Sequence, residues 1–185
     1  AGANAIQLED QQSPKKCGHF SGKAVISAAE AASKIRAAVD ARVNRDFLII
    51  ARTDARAVEG LNAALDRAAL YVENGADITF VEAPESVDEL RRIPQSLQVP
   101  QIVNVVIGGK TPTLNADDYA AMGFSLVLYA NAALQGALLG MTAALQHLRQ
   151  TGRLDEDSGL VASFKDRQQI VQKDLFDLLD RRYGI

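Results

Sequence analysis

Phe47-Leu48-Ile49-Ile50-Ala51-Arg52-Thr53-Asp54 sets five apolar residues in a row and then stops on an arginine. A run of this length has no polar face to turn toward water, so it reads as a strand covered on both sides. The same break recurs along the chain. Ala5 to Leu8 end at Glu9 and Asp10, Ile78 to Val81 at Glu82, Val99 to Val103 at Asn104, and Phe124 to Leu128 at Tyr129. Helical segments separate these runs. Ser27 and Glu30 form a capping box that opens a helix reaching about Val43. Leu61, Leu65, Ala68 and Val72 recur at helical spacing, with Gly75 as the stop. Ser86 and Glu89 open a short helix limited by Pro94, Asn115 caps one that ends by Gly123, and Asn131 caps a long alanine-rich helix ending near Gly152.

Five strands alternating with helices argue for βα units and a parallel sheet. Both a (β/α)8 barrel and an open doubly wound sheet gather ligands at the carboxyl ends of their strands. The alternation therefore points to a site before it separates the two folds. Polar residues also simply begin loops, but an arginine and two glutamates closing apolar runs weigh toward a site. After Gly152, Arg153 to Ser158 is charged and reads as a linker. Ser163 to Arg182 carries Ile170, Val171, Leu175, Leu178 and Leu179 at helical spacing, one amphipathic helix that must cover its own domain or a neighbouring subunit. The domain reading is 1–152 for the βα part and 153–185 for linker and tail.

Between the first strand and the first helix lies Pro14-Lys15-Lys16-Cys17-Gly18-His19-Phe20-Ser21-Gly22-Lys23, which holds the one cysteine of the chain. A thiol reacts as its thiolate, a form that neighbouring positive charge favours, so lysines and a histidine around it suit proton transfer. A lone cysteine under a basic loop is as often a packing residue.

The 185 residues are 48% hydrophobic with a formal net charge of −3, ordinary for a globular domain and without the clustered basic surface of a nucleic-acid binder. A single cysteine fits a reducing compartment, no apolar run spans a membrane, and no leader is seen, which predicts a cytoplasmic protein. Gly108-Gly109-Lys110-Thr111 imitates the end of a phosphate-binding loop, but that motif needs glycine at 104, where this chain has Asn104. No His/Cys cluster has zinc spacing, no G-x-S-x-G elbow is present, and His147 reads as a packed or solvated helix residue.

Gln7-Leu8-Glu9-Asp10-Gln11, the Lys15-Lys16-Cys17-Gly18-His19 loop and Ile50-Ala51-Arg52-Thr53-Asp54-Ala55 together resemble the isocitrate lyase/phosphoenolpyruvate mutase superfamily. The Lys-Lys-Cys-Gly-His loop is a signature of its lyase branch, which includes 2-methylisocitrate and dimethylmalate lyases. Glu82-Ala83-Pro84, Asn104 and the Gly108 to Pro112 stretch extend the likeness, which covers Ala1 to about Gly152. The resemblance implies an α/β (β/α)8 barrel of which strands four to eight are present, so the chain reads as part of a longer protein whose earlier strands carry most of the metal aspartates. It implies Mg²⁺, with Mn²⁺ as substitute, a small carboxylate substrate, and a homotetramer that exchanges its terminal helix between subunits.

By the same resemblance, Glu9 belongs to the metal's shell through water, and Cys17 exchanges the proton with the carbanionic product. Lys15 and His19 tune and position the loop, and Arg52 clamps a carboxylate and its developing charge. Glu82, Asn104, Gly18 and His19 bind substrate. Val106 replaces a hydroxyl residue of methylisocitrate lyases, Ile107 an acid and Ala130 a proline, which shifts the expected substrate more than the reaction. Carbon–carbon lyase is the leading reading. Phosphorus–carbon chemistry and an inactive barrel kept for binding are the others.

Overall fold

A computed structural model describes residues 2–184. Its first unit carries the strands β1 (Ala5–Glu9), β2 (Leu48–Thr53), β3 (Ile78–Val81), β4 (Gln101–Asn104) and β5 (Leu126–Leu128). All four neighbouring pairs are parallel, and the strands lie side by side in chain order. An open doubly wound sheet reverses its order at a switch point, whereas consecutive strands of a (β/α)8 barrel do not. The sheet is therefore five strands of a partial barrel. Helices α1 (Ala28–Ala41), α2 (Arg56–Glu59), α3 (Leu61–Glu73), α4 (Val87–Ser96) and α5 (Ala116–Met122) connect them.

Alternation along the strands divides two layers. Ile49 and Ala51 of β2 pack with Ala31, Ile35 and Tyr71 of α1 and α3, while Val81 and Val103 join Leu65, Leu90 and Tyr119. Leu48, Ile50, Ile78, Phe80 and Ile102 form a cluster on the opposite face. Counting on by two from that inner cluster gives Arg52, Glu82 and Asn104. The strand register sets Glu9 beside Arg52 and Asn104 beside Leu128, so the sheet lines the site residues up before any loop contributes.

Three of the expected caps form: the side chains of Ser27, Ser86 and Asn115 accept from the main-chain N–H of Glu30, Glu89 and Asp118, and Gly123 closes α5 at φ 105°. Pro94 does not end its helix, which runs on to Ser96. The proline's missing N–H removes one bond, but Ile93 and Leu90 beside it are buried in the core, and packing outweighs the local rule.

The compact units divide between Asn131 and Ala132. The sequence places its boundary at Gly152 instead, and the outermost residues of its two ranges, Ala1 and Ile185, lie outside the described ones. The second unit holds α6 (Ala132–Thr151), a 3-10 turn (Glu156–Ser158), α7 (Phe164–Ile170) and α8 (Lys173–Tyr183). The single tail helix expected from Ser163 to Arg182 is thus two, broken at Gln172 with φ 53°. No glycine or proline marks the break, so periodicity ran through it. Leu138, Leu139, Met141 and Leu145 of α6 and Leu175, Phe176 and Leu178 of α8 are exposed. Among the described residues, no helix is long and apolar enough to cross a membrane.

Candidate active site

Main-chain ladder bonds continue past the strand ends and fix the site residues. The N–H of Asp10 bonds the carbonyl of Arg52, that of Glu82 the carbonyl of Thr53, and that of Val105 the carbonyl of Leu128. Glu9 and Asp10, adjacent in sequence, turn to opposite faces. Asp10 is buried and accepts from the Thr53 hydroxyl (2.7 Å), the Asp54 N–H (2.9 Å), the Tyr71 hydroxyl (2.8 Å) and Arg67 Nη1 (3.4 Å). Burial and then the Asp10 charge push the Tyr71 phenol's pKa upward. Glu9 instead borders an open cavity of about 300 Å³.

Arg52, Glu82 and Asn104 form the floor of that cavity, and Lys15, Cys17, Gly18 and His19 of the loop form its other side. Val106 and Ala130 add an apolar wall, whereas Ile107 is half exposed in the following turn. Every residue assigned from the sequence therefore meets at one place.

Arg52 grips Asp54 with two bonds, Nε to Oδ2 at 2.9 Å and Nη2 to Oδ1 at 3.0 Å, a fork that fixes the guanidinium plane. Its Nε lies 3.5 Å from Glu9, its Nη1 3.7 Å from Glu82, and its charge sits 5.1 Å from the centre of the Phe80 ring. The Asn104 amide N–H approaches Glu82 at 3.3 Å. Glu82 is only 1% exposed, and burial raises its pKa above the usual carboxylate range against the pull of Arg52.

The loop is pinned at several points. The Gln11 side-chain amide pairs with both main-chain groups of Lys16 at 2.8 and 2.9 Å, and the Gln12 N–H bonds the Ala24 carbonyl at 2.8 Å, closing the loop's base. Lys15 reaches Glu9 at 2.8 Å from an exposed position. Gly18 lies flush on the strand ends: a Cβ there would come 2.7 Å from Arg52 Nη2 and closer still to Glu82. Cys17, one residue earlier, is exposed at the cavity edge.

Sequence reasoning missed Lys23 and Asp54 as parts of the site. The Lys23 side chain is 2% exposed, donates to the Gly18 carbonyl and stands 3.9 Å from Asp54. Burial lowers its pKa, partly countered by Asp54. The available signal was a lysine heading the apolar Ala24-Val25-Ile26, an odd place for a solvated charge.

The phosphoenolpyruvate phosphomutase family model matches residues 1–149. The chain belongs to the phosphoenolpyruvate mutase/isocitrate lyase superfamily. It is 46% identical over 141 residues to 2,3-dimethylmalate lyase of Eubacterium barkeri, covering 76% of this chain and 49% of that protein. It is 40% identical over 187 residues to the chloroplastic carboxyvinyl-carboxyphosphonate phosphorylmutase of Arabidopsis thaliana, covering 100% of this chain and 55% of that one. Among solved structures, a 2,3-dimethylmalate lyase superposes with a TM-score of 0.88 at 31% identity over 97% of this chain and 60% of that one. A phosphonopyruvate hydrolase solved with oxalate and Mg²⁺ gives 0.82 at 28% identity over 100% and 64%. The chain spans about half the length of the curated relatives it matches.

Proposed function

We propose that this superfamily chain serves a carbon–carbon lyase that cleaves a 2-hydroxy di- or tricarboxylic acid, of the dimethylmalate or methylisocitrate kind, to an oxo acid and a carboxylate. The observation that carries the reading is that Cys17 shares one cavity with Arg52, Glu82 and Asn104. Cleavage removes the proton of the 2-hydroxyl and turns its carbon into a carbonyl. The electron pair of the broken bond stays on the carbon next to the departing carboxylate. The Cys17 thiol donates a proton to that carbon, and the proton lost from the hydroxyl restores the thiol, so the balance closes. Arg52, held flat by Asp54, presents Nη1 to a substrate carboxylate. Val106 and Ala130 suit an alkyl substituent rather than a polar one.

Glu9 fits a metal only in part. Its oxygens already face Lys15 and Arg52, and among the described residues no three His, Cys, Asp or Glu side chains gather as a cation site. Glu9 would therefore accept hydrogen bonds from a cation's waters rather than enter its inner shell. Mg²⁺ or Mn²⁺, when bound, would supply Lewis-acid polarisation of the oxo acid's oxygens.

Cys17→Ser in the complete protein tests the thiol, with an expected fall in cleavage of about 10²- to 10⁴-fold. Near-normal turnover would remove Cys17 from the proton transfer. A phosphorus–carbon enzyme is the second reading, favoured by the likeness to the phosphorylmutase and the hydrolase. Phosphorus NMR on phosphonopyruvate separates the two: the lyase leaves the signal unchanged. A cytoplasmic location, keeping the thiol reduced, is part of the same proposal. So is a homotetramer with exchanged terminal helices, which the exposed apolar residues of α8 support. Deleting 164–185 and deriving the number of subunits from the solution mass tests the assembly, since an unchanged number would refute the exchange.

A further inference from the structure

The turn that follows β4 does something that its likeness to a phosphate loop conceals. The Val106 carbonyl accepts from the Gly109 N–H at 2.8 Å, with Gly108 at φ 78°, which is a tight turn whose third residue needs the left-handed region. This turn delivers the main-chain N–H of Lys110 to His19 Nδ1 at 2.9 Å. A main-chain N–H can only donate, so Nδ1 must hold a lone pair and the ring proton must sit on Nε2. Neither the Nδ1–H tautomer nor the imidazolium can make this bond.

Gly109 fixes the ring from a second direction. A Cβ at Gly109 would lie 2.6 Å from His19 Nδ1 and 3.0 Å from its Cε1, so the imidazole rests directly on bare backbone. The His19 side chain is 5% exposed, and Nε2 comes within 3.0 Å of Glu82 Oε1 without an aligned hydrogen bond to it. Nε2 is itself enclosed, so the group its N–H faces is the Glu82 carboxylate.

We propose that the Gly108–Lys110 turn is a positioning element that locks His19 as the neutral Nε2–H tautomer, so that its one N–H faces the Glu82 carboxylate in a fixed orientation beside the substrate. This deepens the lyase reading and rests on it for the substrate. The tautomer itself stands on this geometry alone. The burial that lowers the histidine's pKa works in the same direction, since it keeps the ring neutral. The Lys110 side chain is not part of the device; it points its charge to Glu85 at 3.2 Å.

The test is nitrogen-15 NMR of the histidine rings in the complete protein at neutral pH, with His19 assigned by its loss in His19→Gln. His19 is expected to show Nδ1 as the unprotonated nitrogen and Nε2 as the protonated one. Gly109→Ala, which forces the ring aside, is expected to give a mixture of tautomers and to lower kcat by about 100-fold. Lys110→Ala, which keeps the main-chain N–H, is expected to keep the tautomer. A protonated Nδ1 in the unaltered protein, or a tautomer lost in Lys110→Ala, overturns the proposal. If Gly109→Ala does not fold, those two measurements still decide it. Because the spectrum needs no turnover, a correct tautomer in a protein without lyase activity would sink the functional reading and leave this one standing.

Discussion

The strand ends and the Cys17 loop meet at one cavity but are held in contrasting ways. Arg52, Asp54, Glu82 and Asp10 are buried or nearly so, and cross-braced by ladder bonds and paired charges. The loop is mostly exposed and hangs on a few contacts: the Gln11 amide, Lys23 to the Gly18 carbonyl, and Lys110 N–H to His19. A braced floor below a tethered loop is an arrangement that allows such a loop to act as a lid. The contrast predicts that floor substitutions cost folding, whereas loop substitutions cost only closure.

Asp10→Ala should show the largest effect. It strands Thr53, Tyr71 and Arg67 in the interior, and urea unfolding should report a loss of about 3–5 kcal/mol. A loss below 1 kcal/mol would mean that the floor is not braced as described. Lys23→Met comes next: removing a buried charge-assisted bond should release the loop by about 1.5–3 kcal/mol, read as faster protease cleavage between Ser13 and Gly22 with global stability little changed. Equal loss in both measurements would erase the distinction between lid and floor.

Acid should act as a milder version of the same release. His19 has its pKa lowered below the ordinary 6.5 by burial first, then by Lys23, Arg52 and Lys110, with Asp54 opposing. The closed loop penalises the protonated ring, so closure is fully favoured above pH 6.5 and weakens as pH falls through the lowered pKa. Glu82, which faces the ring and whose pKa burial raises, takes up protons more readily when closed and blunts the effect. Protease protection of the loop followed with pH checks this; protection that rises on acidification would contradict it. Smallest of all, Cys17→Ser should change the unfolding free energy by no more than about 0.5 kcal/mol, since the side chain is exposed.

Much of the floor was legible from the chain. Apolar runs stopping at Glu9, Arg52, Glu82 and Asn104 announced strand ends. The sequential order that makes the sheet barrel-like came from the family resemblance, because periodicity fixes elements and not their neighbours. Asp10, which closes the first apolar run beside Glu9, holds the architecture around the site instead. Hydropathy does not tell a carboxylate facing the cavity from its neighbour facing the helices. The Gly109 turn was invisible for a related reason: it presents the Lys110 N–H to the ring of His19, far away in sequence, and such a partner leaves no spacing to find.

Gly18 carries a practical implication. With no side chain between the loop and the guanidinium of Arg52, even one added methyl would work as a doorstop. Gly18→Ala would leave the reactive sulfur and the floor chemically intact while wedging them apart. Comparing its turnover with that of the unaltered protein would measure how much of the rate comes from sealing the chamber rather than from the groups inside it.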